Sequence, residues 1–201
     1  MPGVRRAVPF VGLTGGMGAG KSEALRALEE HGAATLSADA VVHDLLGQGE
    51  VSALIVERLG PDVAPGGRID RGAVAEAVFE RPEERKWLEG VLWPRVGARI
   101  AEWRGELDSR PEPPRAAVVE VPLLFESGLE AAFDHTVAVV AEEGIRRSRA
   151  EARGHAGVEA RAARQLTQEE KAERAEFTVR NDGSKDDLRQ AIAGLLEKMG
   201  V

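Results

Sequence analysis

The chain has 201 residues, enough for one sizeable core or for a core with smaller appended subdomains, and its 43% hydrophobic and 30% charged residues are those of an ordinary globular protein. The net charge of −7 disfavours general binding to a phosphate backbone, and the absence of cysteine excludes disulfides, thiolate metal sites and thiol catalysis. No apolar run approaches the roughly 18 residues needed to span a bilayer.

The first element is an apolar stretch, Val8 to Leu13, that runs straight into a glycine cluster. It reads as a buried strand and not as the apolar part of a signal peptide, because no small-residue cleavage site follows. Gly15-Gly16-Met17-Gly18-Ala19-Gly20-Lys21-Ser22 then matches G-x-x-x-x-G-K-[ST]. Glycines let successive N–H groups converge on phosphate oxygens without Cβ clashes, and the start of the following helix adds a positive potential. In such a loop Gly16 to Gly20 cradle the phosphates and Lys21 reaches the β- and γ-phosphates. Ser22 ligates Mg²⁺. ATP and Mg²⁺ are the expected cofactors. A helix is expected over Ser22 to Glu30, stopped at Gly32.

Further strands are expected at Ala33–Leu36, Ala116–Val121, Thr136–Val140 and Phe177–Val179. Apolar strands alternating with helices imply an α/β fold with a parallel sheet covered on both faces, a three-layer P-loop NTPase core. Between about residues 49 and 114 the pattern is helix after helix. Asp70 is a candidate cap, Pro94 a candidate kink, and Ser109 to Pro114 a stiff linker. A second helical stretch spans residues 142–174, leaving a core of about residues 7–48, 115–141 and 175–201. Thr167 with Glu170, and Ser184 with Asp187, have capping-box spacing.

The guanine-recognition motif of GTPases is absent, since Asn181-Asp182-Gly183-Ser184 does not match it. A small-molecule kinase needs an acceptor subdomain and a lid, and the two helical insertions supply candidates for both. A nucleotide-dependent switch protein is the reading from another class. Asp39, just after the second strand, suits either the proton acceptor for an attacking hydroxyl or the N-cap of a helix over Ala40 to Leu46. Glu120, at the end of the third strand, either orients a water on Mg²⁺ or is a solvent-exposed acid. Residues 142–165 carry Arg146, Arg147, Arg149, Arg153, Arg161 and Arg164 against four glutamates, a basic segment in an acidic protein. Arg149 and Arg153 share a helical face. Arg149 is the candidate for the main phosphate contact and Arg153 for its support, with Gly154 and Gly157 as a hinge. His31, His43, His135 and His155 lack metal-ligand spacing.

Several blocks together resemble the dephospho-CoA kinase family. They are Gly12-Leu13-Thr14 through Ser22, Ala38-Asp39, Gly67-Arg68-Ile69-Asp70-Arg71 with Val78-Phe79, and Trp87-Leu88 with Trp93-Pro94. The block Val121-Pro122-Leu123-Leu124-Phe125-Glu126 is the most distinctive. Arg161 with Gln165, Glu169-Glu170-Lys171, and Asn181 with Gly183 complete the match, in order and over nearly the whole chain. The resemblance implies a five-stranded parallel core, a helical CoA-binding subdomain and a helical lid. It implies transfer from ATP to the ribose 3′-hydroxyl of dephospho-CoA in the cytoplasm. ATP and dephospho-CoA are the partners, with no nucleic acid, membrane or obligate protein partner. Asp39 falls at the family's catalytic acidic position. Thr14 lies beside the acceptor or the phosphates. Pro122, Leu123 and Leu124 wall the acceptor pocket, unless the leucines serve only the core, and Asn181 belongs to the nucleotide side. The sequence departs from the family at Ser37, where the first acid of D-A-D is usual, at Trp93 in place of histidine, and at Glu176 and Arg180.

Overall fold

A computed structural model of the chain describes residues 8–151 and 165–201. Arg153, Gly154, His155, Gly157, Arg161 and Arg164 lie outside the described residues. The chain divides into two compact units. One comprises residues 1–37 with 106–201, and the other residues 38–105.

The first unit is built on a five-stranded sheet, with β1 (Phe10–Gly15), β2 (Ala34–Ser37), β3 (Ala117–Glu120), β4 (His135–Val140) and β5 (Phe177–Arg180). The order is β2-β3-β1-β4-β5 and every neighbouring pair is parallel. All five strands stand within a residue or two of their expected places. β1 lies in the middle because it is apolar on both faces, all six of its residues being buried. Its alternate residues Val11 and Leu13 pack with Ala24, Ala27 and Leu28 of α1 (Lys21–Glu30). The same cluster takes in Leu188, Ile192, Leu195 and Leu196 of the C-terminal helix (Lys185–Lys198). These positions repeat at three and four residues, which turns one helical stripe toward the sheet. On β1's other side Phe10 stacks on Phe133 with ring centroids 4.5 Å apart.

The second unit is helical, with α2 (Ala38–Leu46), α3 (Gly49–Leu59), α4 (Arg71–Phe79) and most of α5 (Pro82–Asp108). Helix α2, expected with the core, groups with this unit. It opens at Ala38, so Asp39 is its second residue and not its cap. The cap expected at Asp70 is present, its carboxylate accepting from the Ala73 N–H at 2.9 Å. Helix α5 continues through Pro94. A proline takes a ladder hydrogen bond from the carbonyls one turn back. The carbonyl left without its donor is that of Gly90, and the Arg95 guanidinium donates to the neighbouring Val91 carbonyl at 2.9 Å. Arg58 grips Glu84 through two hydrogen bonds of 2.8 and 3.2 Å and lies over the Trp87 ring. The Glu84 bonds push the Arg58 guanidinium to still higher pKa.

In the first unit again, α6 (Glu143–Glu151) follows β4 and α7 (Gln168–Arg174) precedes β5, so the C-terminal helix is α8. Both expected capping boxes are formed. Thr167 and Glu170 open α7, and Ser184 and Asp187 open α8, each pair bonding reciprocally. Among the described residues no helix is long and apolar enough to cross a membrane.

Candidate active site

The phosphate loop leaves the carboxyl end of the central strand and closes onto α1. Its backbone turns on itself, with Ala19 N–H donating to the Gly16 carbonyl at 3.2 Å. The Gly20 carbonyl receives the first helical bonds, from Glu23 and Ala24 at 3.0 Å each. Gly18 and Gly20 are among the glycines that geometry demands. Gly18 has φ of 74° and Gly20 of 94°, left-handed values that side chains rarely adopt. A Cβ on Gly18 would also collide with the Arg146 carbonyl, and one on Gly20 with the Asn181 side-chain amide. Helix α1 has no side-chain cap, which leaves its start shaped for an anion.

Lys21 lies across the loop, its Nζ donating to the Gly15 carbonyl at 3.1 Å and the Gly16 carbonyl at 3.4 Å. The same ammonium is 4.0 Å from Glu120 Oε1, both side chains being 15% exposed. Glu120 is therefore a half-buried, ion-paired acid at the loop's foot and not a solvated strand end. The sheet register puts it there, since Leu13 and Ser37 both stand opposite Glu120. Ser22, the second residue of α1, is exposed.

A second set of side chains holds the loop from outside. Arg146 Nε donates to the Met17 carbonyl at 3.0 Å, and a Cβ on Gly16 would lie 3.1 Å from the Arg146 guanidinium. Arg149, one turn further along α6, donates to the Asn181 carbonyl at 3.0 Å. The buried Asn181 amide donates in turn to the Ala19 carbonyl at 2.8 Å. Asp182 accepts from the Glu142 N–H just ahead of α6. That bond, with Arg180 beside it, holds the Asp182 carboxyl below its usual range. One guanidinium group of α6 thus bonds the loop's backbone directly, and a second bonds Asn181, which in turn bonds the loop. The sequence picked out Arg149; Arg146 was one of six arginines with nothing to separate it, apart from its i, i+3 spacing from Arg149 on one helical face.

The block after β3 is organised by buried donors. Thr14, fully buried, donates through its hydroxyl to the Pro122 carbonyl at 3.2 Å. Lys171 of α7, whose side chain is 0% exposed, donates to the same carbonyl and pairs with Glu126 at 3.0 Å. Glu126 also accepts from the Leu166 N–H at 2.9 Å. Leu124 and Phe125 are buried, whereas Leu123 is 41% exposed. Lys171 is the residue that sequence reasoning passed over. A lysine among glutamates on a short helix reads as solvated, and only its place in the Glu169-Glu170-Lys171 block marked it out. Asp39 belongs to the other unit, in the first turn of α2 and two residues past the end of β2. Arg153 lies outside the described residues.

Among the described residues no cluster of three histidines or carboxylates could hold a metal by itself. Ser22 and Glu120 offer one hydroxyl and one carboxylate beside the phosphate loop. That fits Mg²⁺, which keeps several waters and takes one or two protein oxygens besides those of a phosphate.

Residues 9–187 match the family model described as dephospho-CoA kinase. A dephospho-CoA kinase of Symbiobacterium thermophilum is 39% identical over 188 residues, covering 91% of this chain and 78% of the relative. A crystal structure from Thermus thermophilus superposes with a TM-score of 0.81 at 34% identity, covering 96% of this chain and 99% of the other. The dephospho-CoA kinase from Campylobacter jejuni gives 0.68 at 27% identity, covering 94% and 96%. The matches span nearly the whole of this chain and 78% or more of each of these relatives, and the chain belongs to the dephospho-CoA kinase family.

Proposed function

We propose that this enzyme transfers the γ-phosphate of ATP to the ribose 3′-hydroxyl of dephospho-CoA, giving ADP and CoA. The observation that carries the reading is an intact phosphate loop, with Lys21 across it, inside a family match over residues 9–187. The loop amides and Lys21 hold the phosphates, and preorganised donors are worth most where charge develops in the transition state. Arg149 reaches the nucleotide from α6, beside Gly20 and Asn181, with Arg153 as its support. Ser22 would hold Mg²⁺ and Glu120 would orient a water on it, with Ser37 able to offer only a neutral oxygen. The ion, when bound, neutralises charge on the β- and γ-phosphate oxygens.

Asp39 takes the proton of the attacking hydroxyl. Its place along the chain supports this, because α/β sheets bind ligands outside the carboxyl ends of their strands and Asp39 follows the end of β2 by two residues. The cap that competed for it is excluded by a helix that already starts at Ala38. Within the Pro122 block the leucines divide. Leu124 packs in the core, and Leu123 is left to wall the acceptor pocket. Thr14 acts by fixing the Pro122 carbonyl. The cysteine-free composition suits the reducing cytoplasm.

The test is ADP release from ATP and Mg²⁺ with dephospho-CoA, against AMP and no acceptor, with product mass determined. Release that depends on dephospho-CoA, with a product one phosphate heavier, is expected. Release with AMP alone would move the enzyme to the nucleotide kinases, and slow acceptor-independent hydrolysis would point to a switch. Asp39→Asn is expected to lower kcat by about 100-fold or more with ATP affinity near normal. A matching loss of ATP affinity would sink the base assignment. Lys21→Ala weakens nucleotide binding, transfer or both.

A further inference from the structure

We infer that Lys171 is a positioning residue for the acceptor, acting through the Pro122 carbonyl on the block that carries Leu123. This rests on the reading of that block as part of the acceptor pocket.

The observations are geometric. A lysine with no exposed side-chain surface is rare, because an ammonium keeps its charge in the interior only with a partner and hydrogen bonds. Lys171 has both. Glu126 supplies the charge at 3.0 Å, and the Pro122 carbonyl accepts a hydrogen bond. That carbonyl already accepts from Thr14, whose backbone leads directly into Gly15 and the phosphate loop. Two donors on one carbonyl oxygen fix the plane of the Pro122–Leu123 peptide. The oxygen is pinned by a residue ahead of the phosphate loop and by a residue of α7. The peptide's plane sets the direction of Leu123, the exposed member of the block. Glu126 closes the circuit at the block's other end by accepting from the Leu166 N–H as well.

A stability role alone does not call for this arrangement. A buried ion pair adds little net stability over well-packed apolar residues, because desolvation offsets the attraction. Its product here is direction, since it fixes the peptide between Thr14 and Leu123. ATP meets a loop held separately by β1, Arg146 and Asn181. Loss of Lys171 is therefore expected on the acceptor side of the kinetics.

The experiment compares Lys171→Met, the double variant Lys171→Met/Glu126→Gln, and Leu123→Ala by melting temperature and by KM for each substrate. Lys171→Met leaves Glu126 buried without its cation, so melting falls. Glu126→Gln in the double variant removes that charge, keeps an acceptor for the Leu166 N–H, and recovers most of the melting temperature. KM for dephospho-CoA is expected to stay raised, about tenfold, in both Lys171 variants, with KM for ATP within about twofold. A double variant that regains wild-type melting and wild-type dephospho-CoA KM together overturns the inference and makes Lys171 a stability residue. A larger shift in ATP KM also overturns it. If Leu123→Ala raises the acceptor KM and the Lys171 variants do not, the inference fails and the acceptor block stands. If none of the three raises it, the block reading fails with it.

Discussion

Asn181 shows what one side chain does for a glycine loop. Glycines allow the loop's shape but do not hold it, so the hold comes from side chains that bond its carbonyls. Asn181 donates to Ala19 from below while Arg146 donates to Met17 from α6. Asn181→Ala strips a buried carbonyl of its partner, a loss of about 1–3 kcal/mol. Calorimetry should show that loss, and titration should show weaker ATP binding with dephospho-CoA affinity unchanged. Gly20→Ala is expected to do worse, because it adds a backbone penalty to a collision with the Asn181 amide. The loop itself was legible in the sequence because its chemistry is local, eight residues in one run. Arg146 and Lys171 were not. Each bonds a main-chain carbonyl, 129 and 49 residues away, and a carbonyl belongs to every residue type; the Glu126 that pairs with Lys171 is one of 34 acids in the sequence. Asp39 was legible as one of two things; the helix start at Ala38 removes the cap, and the proton acceptor is the reading proposed above.

At the scale of elements, the ends of helices were easier to read than their groupings. The capping boxes at Thr167 and Ser184 and the cap at Asp70 each lie within four residues of sequence, and all three form. Thr167→Ala removes one of them and is expected to cost about 1 kcal/mol. For a chain of this size that lowers the melting temperature by roughly 2–4 °C, measurable by circular dichroism. Because α7 carries Lys171, the same variant tests whether the helix start supports the acceptor block. Pro94 was expected as a kink inside a helical stretch, and α5 runs through it. Arg95, the next residue, adds a side-chain bond to the Val91 carbonyl one turn back. Arg95→Met should therefore destabilise α5 more than an exposed substitution does. The grouping of α2 with the helical unit reflects its packing against α3, a contact between helices that periodicity within one helix does not reveal.

At the scale of the molecule, the charge pattern gives a pH dependence. Helix α8 is tied to α1 by Lys185 with Glu23 and by Arg189 with Glu30. The Lys185 contact lowers the Glu23 pKa and the Arg189 contact lowers that of Glu30. Asp187 is lowered by the Ser184 hydroxyl and N–H, and Asp182 by the Glu142 N–H. Each folded value lies below the unfolded one, so the stabilisation is fully present above the ordinary carboxylate values of 4.5 and 3.8. It is lost as pH falls through the depressed values. Urea midpoints are expected to stay level from neutrality to about the ordinary glutamate value and to drop below it. High salt should blunt the part that comes from the exposed ion pairs.

The sheet order also governs how the chain can come off a ribosome. β1, the strand in the middle, is made first, but its neighbours begin only at Ala117 and His135. A nascent chain must therefore carry a strand that ends fully buried, with no strand neighbour on either side of it from β3 or β4, while the whole of residues 38–105 is synthesised. The strand cannot gain its second neighbour until β4 has emerged from the exit tunnel. Arrest peptides placed along the chain should show folding force only after that point, and any chaperone that binds apolar strands has its longest opportunity before it.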